Sequence, residues 1–227
     1  MFSDLFYQLL DQNIFLTAAW ETVYLTVIST AISYVVGVPL GLILCVTDRD
    51  GIYPIVWLNK LLSVIVNIFR SIPFIILMVA MFPVAKFVVG TSLGNKALVF
   101  TLVVGAAPYI ARMVESSVKE VDRGIIEAAQ AMGTTNMGIV LKVLIPEAKP
   151  SLIVGAVIST VTVLSYTAMA GTVGAGGLGR IAIAYGHQRF SPDITWVCVI
   201  LTVIIVQIIQ ELGMFIARKT DKRIRNK

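Results

Sequence analysis

Charged residues are scarce in this chain of 227 residues: they make up 14% of it, whereas about a quarter is usual in a soluble domain. Hydrophobic residues make up 57% and form continuous runs, without the alternation that a membrane β-barrel needs. About 20 apolar residues suffice for one helical span of a bilayer. The composition therefore excludes a soluble globular protein and predicts an all-α integral membrane protein with several spans.

Residues that carry enzyme or metal chemistry are also few. Cys45 and Cys198 lie in apolar runs without metal-binding spacing, and His187 has no second ligand nearby. No convergent set of histidine, serine and carboxylate is found, and the pattern G-x-x-x-x-G-K-[ST] does not occur. We therefore predict that the chain is not an enzyme, holds no cofactor or metal of its own and hydrolyses no ATP by that route. Residues 1–16 contain no lysine or arginine, so no cleavable signal peptide is predicted.

The apolar runs predict five membrane spans. The first has a proline kink at Pro39, and the second is interrupted by Arg70 and Pro73. The predicted ranges are about 20–46, within 55–82, 97–114, 150–170 and 194–217. If the second segment spans continuously, Arg70 lies deep in the membrane. We favour residues 54–69 along the inner surface, because Arg70 then lies near the interface and can extend to water.

The distribution of lysine and arginine predicts the orientation of these spans. Of the 18 such residues, one follows the first span, five lie between the end of the third span and the start of the fourth, and six lie in the C-terminal tail. Those twelve share one side, which is predicted to be the cytoplasm. The N-terminus is then outside and the C-terminus inside. The net charge of +5 follows from this asymmetry and does not indicate nucleic acid binding.

The cytoplasmic segment of about residues 115–149 has the pattern of two short helices joined by a turn. Gly133 is expected to end the first helix in a left-handed conformation, and one of residues 134–136 is expected to cap the second. Pro146 is expected to stop the second helix, and Pro150 to start the fourth span. Apolar residues follow one face of each helix: Val121, Ile125, Ala128 and Met132 in the first, and Met137, Val140, Leu141 and Leu144 in the second.

These two apolar faces are too small to form a domain core by themselves. They must rest on the bilayer surface, on the spans or on another protein. An interfacial helix pair on the membrane and a docking element for a cytoplasmic partner are therefore the two alternatives.

A motif in this segment resembles that of permease subunits of binding-protein-dependent ABC importers. The sequence reads Glu127-Ala128-Ala129, then three residues and Gly133, and Ile145-Pro146 follows at the distance seen in that family. In the family the motif helix docks into a cleft on an ATPase subunit. The resemblance implies that the following residues couple this chain to an ATPase: Glu127, Ala128, Ala129, Met132, Gly133 and Pro146.

The resemblance extends over most of the chain. Arg70 and Pro73 form an Arg-x-x-Pro element similar to that of amino-acid importer permeases, and the runs RSIPFIIL and TAMAGTVGAGGLG most resemble the methionine permeases of the group. It implies a single transmembrane domain over residues 1–227 in a bacterial inner membrane, with methionine as the solute and its D form as a second candidate. It also implies two ATPase subunits that bind ATP and Mg²⁺, an external binding protein and surrounding membrane lipid.

The run Gly174–Gly179 matches G-x-G-x-x-G, the fingerprint of dinucleotide-binding folds. That fingerprint needs a preceding strand, whereas here a membrane span precedes it on the predicted outer side, so nucleotide binding is not expected. Three interpretations remain: a flexible outer loop, a break at the end of the fourth span, or a seat for an external partner. The family resemblance favours the last two.

The fourth span carries hydroxyl side chains, which either line a solute path or pack against other helices. Ser165 and Met169 share a face and Tyr166 is adjacent, so these three join Arg70 and Pro73 as candidate path residues. Five spans are few for an enclosed path, and a homodimer with the path on its two-fold axis is therefore predicted. Small residues suited to close helix packing form two pairs: Gly37 with Gly41, and Gly155 with Ser159.

The alternative function is an ion-coupled carrier or channel that works without an ATPase. Such a carrier usually has ionisable groups within its spans. Here charges in four spans lie only near their ends, and no carboxylate relay is visible. This pattern favours a path whose gate is driven by a partner.

The predicted orientation can be tested by mapping the position of Glu127. A membrane-impermeant reagent should modify a cysteine at position 127 only when it reaches the cytoplasmic side, since the positive loops place this segment inside. Modification from outside in intact cells would contradict the orientation and the docking interpretation together.

Overall fold

The computed structural model describes residues 4–169, 171 and 174–220. These residues form helices joined by short turns, without a strand among them. The helices are α1 (Asp4–Asp11), α2 (Ile14–Val46), α3 (Val56–Ser71), α4 (Phe74–Ala80), α5 (Phe82–Val89), α6 (Asn95–Lys119), α7 (Arg123–Ala131), α8 (Asn136–Ile139), α9 (Ile145–Ala168), α10 (Leu178–Ile181) and α11 (Pro192–Thr220), with π-helical turns at Val140–Leu144 and Ala182–His187.

Four helical runs in the described residues are long and apolar enough to cross a membrane, and the broken pair α3 and α4 makes up to five. This confirms the predicted all-α membrane protein with about five spans. The first, third and fifth predicted spans lie within the longer helices α2, α6 and α11. α6 and α11 extend beyond the predicted spans mainly through polar and charged residues, whereas α2 begins earlier with the apolar residues Ile14, Phe15 and Leu16. Neither the orientation nor the single-domain organisation is tested by this fold, so both remain predictions.

The second predicted span consists of two helices that break where Pro73 was expected to interrupt it. Ile72 is extended, with ψ 124°, because the residue before a proline is pushed out of the helical conformation. Arg70 lies in the last turn of α3, and Pro73 precedes the first residue of α4. α3 buries Val66 and exposes Trp57 and Ile68, so apolar side chains lie both inside and on the surface, and its predicted place along the inner surface remains a prediction.

The prediction that Pro146 stops a helix and Pro150 starts the next is wrong. α8, the first π turn and α9 form one helical run from Asn136 to Ala168, with Pro150 inside α9. In the π turn the Ile145 N–H donates to the carbonyl of Val140, five residues back. This wider turn lies directly before Pro146, whose ring would crowd the carbonyl four residues earlier in a regular α-helix. The helix therefore continues past the proline.

The chain divides into two compact units, of which the first comprises Met1–Ile32, Pro73–Gly105 and Thr160–Gln210. Its core is an apolar cluster to which α1 contributes Phe6 and Leu9, and α11 contributes Ile194 and Cys198. Leu178, at the start of α10, is buried in the same cluster. Cys198 is therefore a small core residue, as its apolar context predicted.

The second unit comprises Ser33–Ile72, Ala106–Ser159 and Glu211–Lys227. Here α2 and α6 approach closely at Gly37 and Gly41. A Cβ at Gly37 would lie 2.6 Å from a side-chain carbon of Ile110, and one at Gly41 would lie 2.5 Å from the carbonyl oxygen of Ala111. The predicted close-packing role of these glycines is thus met by contact with α6 of the same chain.

The contact between α2 and α6 yields a stability prediction with a matched control. Gly41→Ala should destabilise the protein by about 1–3 kcal/mol, because the added methyl overlaps α6. Gly155→Ala adds the same methyl in a helix where the nearest atom, Cε of Met113, is 3.6 Å away. It should be neutral or slightly stabilising, since alanine favours helix more than glycine does. Thermal unfolding of both variants in detergent measures the difference, and equal midpoints would contradict the close contact.

Candidate docking and pathway sites

Side-chain caps and one glycine shape residues 120–145, which we term the docking segment. The Asp122 carboxylate accepts a hydrogen bond from the Gly124 N–H at 2.7 Å and caps α7. Gly133 adopts φ 74° after α7, as predicted for a left-handed turn. The Thr135 hydroxyl then accepts from the Gly138 N–H at 3.2 Å and caps α8. The first turns of α7 and α8 are thus both fixed by local side-chain bonds.

The predicted apolar stripe of the docking segment consists of some buried and some exposed side chains. Val121 and Leu144 are buried, and the chain buries Ala129 and Ile139 with them. Val140 is half-buried, and the other members of the stripe are exposed, with Met132 at 79% and Met137 at 67% of their full accessibility. The further members of this exposed set are Ile125, Ala128 and Leu141. A protein seldom exposes several large apolar residues together unless they contact a partner or a membrane.

Glu127 lies beside a cavity of about 450 Å³ that α7 forms with the loop after α2. Its lining includes Gln130 from the same helix and the charged side chains of Asp48, Asp50 and Arg123. Arg123 and Asp50 are 3.6 Å apart, an exposed pair that contributes little to stability. The cavity therefore offers Glu127 open, polar surroundings beside the exposed apolar residues.

A chain of ion pairs joins the end of α6 to the loop after α2. Glu115 is buried, and its two oxygens contact Arg112 at 2.6 Å and Lys119 at 2.9 Å. Lys119 also contacts Asp48 at 2.6 Å, and this hydrogen-bonded ammonium lowers the pKa of the Asp48 carboxyl below its usual value. The buried Glu115 charge is thus compensated on both sides.

The same ion-pair chain reaches α3. Arg112 donates to the side-chain oxygen of Asn67 at 3.0 Å and to the carbonyl of Ser63 at 3.4 Å. Sequence reasoning placed Arg112 and Glu115 only near the end of a span. The spacing of three and four residues among Arg112, Glu115 and Lys119 is a helix-pair signal that could have revealed this part of the network. The bonds to Asp48 and Asn67 depend on the fold and carry no local signal.

The candidate path residues lie at the C-terminal end of α9 and at the break before α4. The Tyr166 ring stacks on Phe74, directly after Pro73, with 4.4 Å between ring centroids and 6° between ring planes. Ser165 is exposed, although its hydroxyl donates to the Val161 carbonyl of its own helix at 3.1 Å. Met169 is also partly exposed. Arg70 is exposed at the end of α3, in the second unit.

The Gly174–Gly179 run marks a break after α9, and three of its N–H groups donate to side chains of the same chain. Gly174 and Gly177 have positive φ values of 69° and 103°. The Gly177 N–H donates to a carboxylate oxygen of Glu21 at 2.9 Å. A helix rather than a strand precedes the run, so the expectation that it lacks the dinucleotide-binding context is confirmed. Thr172 and Val173 lie outside the described residues.

These features together define a multi-span helical membrane protein with a capped, partly apolar docking segment before its penultimate span. Residues 37–226 match the family described as "Binding-protein-dependent transport system inner membrane component". The chain belongs to this family, as its motif predicted, and is a multi-pass protein of the bacterial inner membrane.

Two relatives cover nearly the whole chain. The "Probable D-methionine transport system permease protein MetI" of Vibrio cholerae is 46% identical over 214 residues, which are 94% of this chain and 95% of the relative. The "Methionine import system permease protein MetP" of Bacillus subtilis is 44% identical over 215 residues, 93% and 97% of the two chains. A solved chain from the "MetNI methionine ABC transporter", described as inward facing, matches with TM-score 0.91 and 44% identity over 97% of this chain and 100% of that chain.

The ion-pair chain predicts that Lys119→Met lowers stability. The free energy of unfolding should fall by about 1–2 kcal/mol at neutral pH. This loss is smaller than that for breaking a fully buried ion pair, because Lys119 is partly exposed and Arg112 still pairs with Glu115. Lys142→Met, on the exposed surface of the docking segment, is the matched control and should have little effect.

The pH dependence of the Lys119 variant gives a second measurement. In the wild type, stabilisation from Asp48 is present above the pKa of an unfolded aspartate and is lost as pH falls through the lower folded-state value. The difference in free energy of unfolding between the wild type and Lys119→Met should therefore shrink under acid conditions. A constant difference from neutral to strongly acidic pH would contradict the role of Asp48 in this network.

Proposed function

We propose that this chain is the membrane subunit of an ATP-driven importer for methionine, with the D form as a second candidate solute. The observation that carries the proposal is the exposed apolar surface of a capped helical turn that bears the Glu127-Ala128-Ala129 motif. The relatives that cover nearly the whole chain are named as methionine permeases. Transport rather than enzyme chemistry is the role of this chain in the proposal.

In this proposal an ATPase subunit binds the exposed half of the docking segment. Ala128 keeps the surface of α7 flat for a close approach, and Met132 adds a flexible apolar contact. Glu127 supplies an acceptor for a basic or amide group of the partner, and the cavity beside it gives that group room. Gly133 sets the angle of the turn.

Two of the motif residues hold the docking segment in place rather than contact the partner. Ala129 is buried against the chain itself, which leaves its neighbour Ala128 to face outward. Pro146 follows the π turn within the helical run to Ala168, so it fixes how the docking segment continues into the fourth span. Their role in the proposal is to orient the contact surface.

The ion-coupled alternative is less well supported by the charged residues. A coupling carboxylate must gain and lose an ion during transport. Glu115 is buried but is compensated by Arg112 and Lys119, and Glu21 accepts a backbone hydrogen bond from Gly177. Both carboxylates therefore already have structural partners. An external ATPase is the energy source that the proposal requires.

The complete importer in this proposal has two copies of the chain around a path on the two-fold axis. Two ATPase subunits bind ATP and Mg²⁺, and an external binding protein delivers the solute. Ser165, Tyr166 and Met169 at the end of α9, with Arg70 and Pro73, are the proposed path residues. At the end of α9 the Met169 thioether is exposed and the Tyr166 ring is half-buried against Phe74, and these groups suit a solute with an apolar thioether side chain.

The turn at Gly133 provides a test of coupling. A Cβ at this position would meet no other atom within 4 Å, so only the positive φ should restrict substitution. Gly133→Val should abolish ATP-dependent methionine uptake in proteoliposomes with the ATPase subunits, because a β-branched residue rarely adopts this conformation. Gly133→Asn should retain much of the uptake, because asparagine tolerates it. Equal uptake by both variants would refute the role of the turn.

The exposed face of α7 provides a test of docking. Ala128→Trp should prevent copurification of the ATPase subunits while the chain remains in the membrane, because the indole separates the two surfaces. Ala128→Ser, which adds a single oxygen, should retain the complex. Retained binding by the tryptophan variant would place the contact elsewhere, and uphill uptake by the chain alone would favour the ion-coupled alternative.

A further inference from the structure

Two adjacent side chains of α2 hold residues 174–179, which we term the glycine loop. The Gly177 N–H donates to Oε2 of Glu21 at 2.9 Å, and the Leu178 N–H donates to Oγ1 of Thr22 at 2.9 Å. Both contacts lie within the first unit and join residues that are 156 positions apart in the chain. The loop is therefore tied to a membrane helix by consecutive backbone N–H groups.

A third bond extends this attachment to α6. The Gly176 N–H donates to Oδ1 of Asn95, the first residue of α6, at 2.8 Å. Three successive N–H groups of the glycine loop are thus satisfied by side chains from two helices. Such a row of N–H groups favours an anion, and the charge of the Glu21 carboxylate makes its hydrogen bond roughly twice as strong as a neutral one.

The glycines are required for this close approach. A Cβ at Gly176 would overlap the Glu21 carboxylate, and a Cβ at Gly177 would lie 2.9 Å from Oγ1 of Thr22. In nucleotide-binding loops the same residue type lets the backbone approach a phosphate. Here the anion in the corresponding position is a side chain of the same protein.

The far end of the glycine loop packs directly on the end of α9. A Cβ at Gly179 would overlap the carbonyl of Ala168, the last residue of α9, and a Cβ at Gly171 would lie 2.7 Å from Cα of Arg180. Backbone therefore contacts backbone on both sides of the junction. A displacement of the loop must displace the end of α9, because packed backbones have no side chain between them that can yield.

We infer that Glu21 is a positioning residue for the solute path. Its carboxylate fixes the glycine loop, and the loop in turn fixes the end of α9 that carries Ser165, Tyr166 and Met169. This inference rests on the proposed function only in taking those three residues as part of the path. The attachment of the loop is a property of this chain alone and can be measured without transport.

Hydrogen exchange in the assembled complex of this chain with the ATPase subunits measures the attachment. Glu21→Ala should speed exchange of the amides of residues 176–178 by about tenfold or more, because the hydrogen bond to a charged acceptor is lost. Glu21→Gln keeps an oxygen acceptor and should lie between Glu21→Ala and the wild type. Glu211→Gln removes a carboxylate exposed on α11 and should leave this exchange unchanged.

Thr22 offers a second variant in case Glu21→Ala fails to fold. Thr22→Val removes the acceptor of the Leu178 N–H together with the bond from the Thr22 hydroxyl to the Ala18 carbonyl. Thr26→Val is its matched control, because the Thr26 hydroxyl bonds in the same way to the Thr22 carbonyl, one turn on. Thr22→Val should speed hydrogen exchange of the backbone amides of the glycine loop, whereas Thr26→Val should not.

Uptake measurements then test the positioning role. Glu21→Ala should lower ATP-dependent uptake by roughly tenfold or more through misplacement of the α9 end, with basal ATP hydrolysis retained and partial recovery in Glu21→Gln. Unchanged exchange in Glu21→Ala and Thr22→Val would overturn the attachment. Faster exchange with unchanged uptake would overturn the positioning role. If the wild type moves no methionine with its ATPase, the proposed function fails, while the exchange result still decides the attachment.

Discussion

The buried Glu115 carboxylate is the charge on which the arrangement around the docking segment depends. An unpaired carboxylate in that position would be strongly destabilising, so Arg112 and Lys119 must remain beside it. Those two cations also bind Asn67 of α3 and Asp48 after α2. One compensated charge therefore holds three separate segments of the second unit together, next to the first residue of the docking segment. The base of the docking segment is therefore fixed by charge pairing as well as by packing.

Apolar runs and turn chemistry made much of the fold predictable from the sequence. The long spans were found because about 20 apolar residues have few other uses in a protein. Gly133 was correctly assigned to a left-handed turn, and the expected cap on the following helix is Thr135. The break at Pro73 was also found, because proline restricts both itself and its predecessor. In each case the determining interaction lies within a few residues of the signal.

The errors came from interactions that a local pattern does not contain. Pro146 was expected to end a helix, but a π turn accommodates its ring. The apolar stripe of the docking segment was expected to form one face, yet Val121 and Leu144 face inward while Met132 and Met137 face outward. The candidate docking residues came from the family resemblance of the motif and remain a prediction, because exposed alanine and methionine have no local signal that distinguishes them from core residues.

Close contacts occur at particular glycines in both units. Gly37 and Gly41 bring α2 against α6 in the second unit, and Gly176 brings the glycine loop against Glu21 in the first. Small residues thus determine which parts of each unit move as one body. The exposed alanine and methionine side chains of the docking segment make no such close contact within the chain, so their surface remains accessible.

The π turn at Val140–Leu144 has a mechanical consequence for the helical run that contains it. That run has 33 residues and is about 50 Å long. It continues from the capped turn to the end of α9 without a loop, so no flexible segment interrupts it. The bond from Ile145 to Val140 spans five residues, and Pro146 next to it has no N–H to donate. The helical run therefore bends most easily at the π turn. Bending or twisting there would change the angle between the two halves of the helical run without unwinding either half.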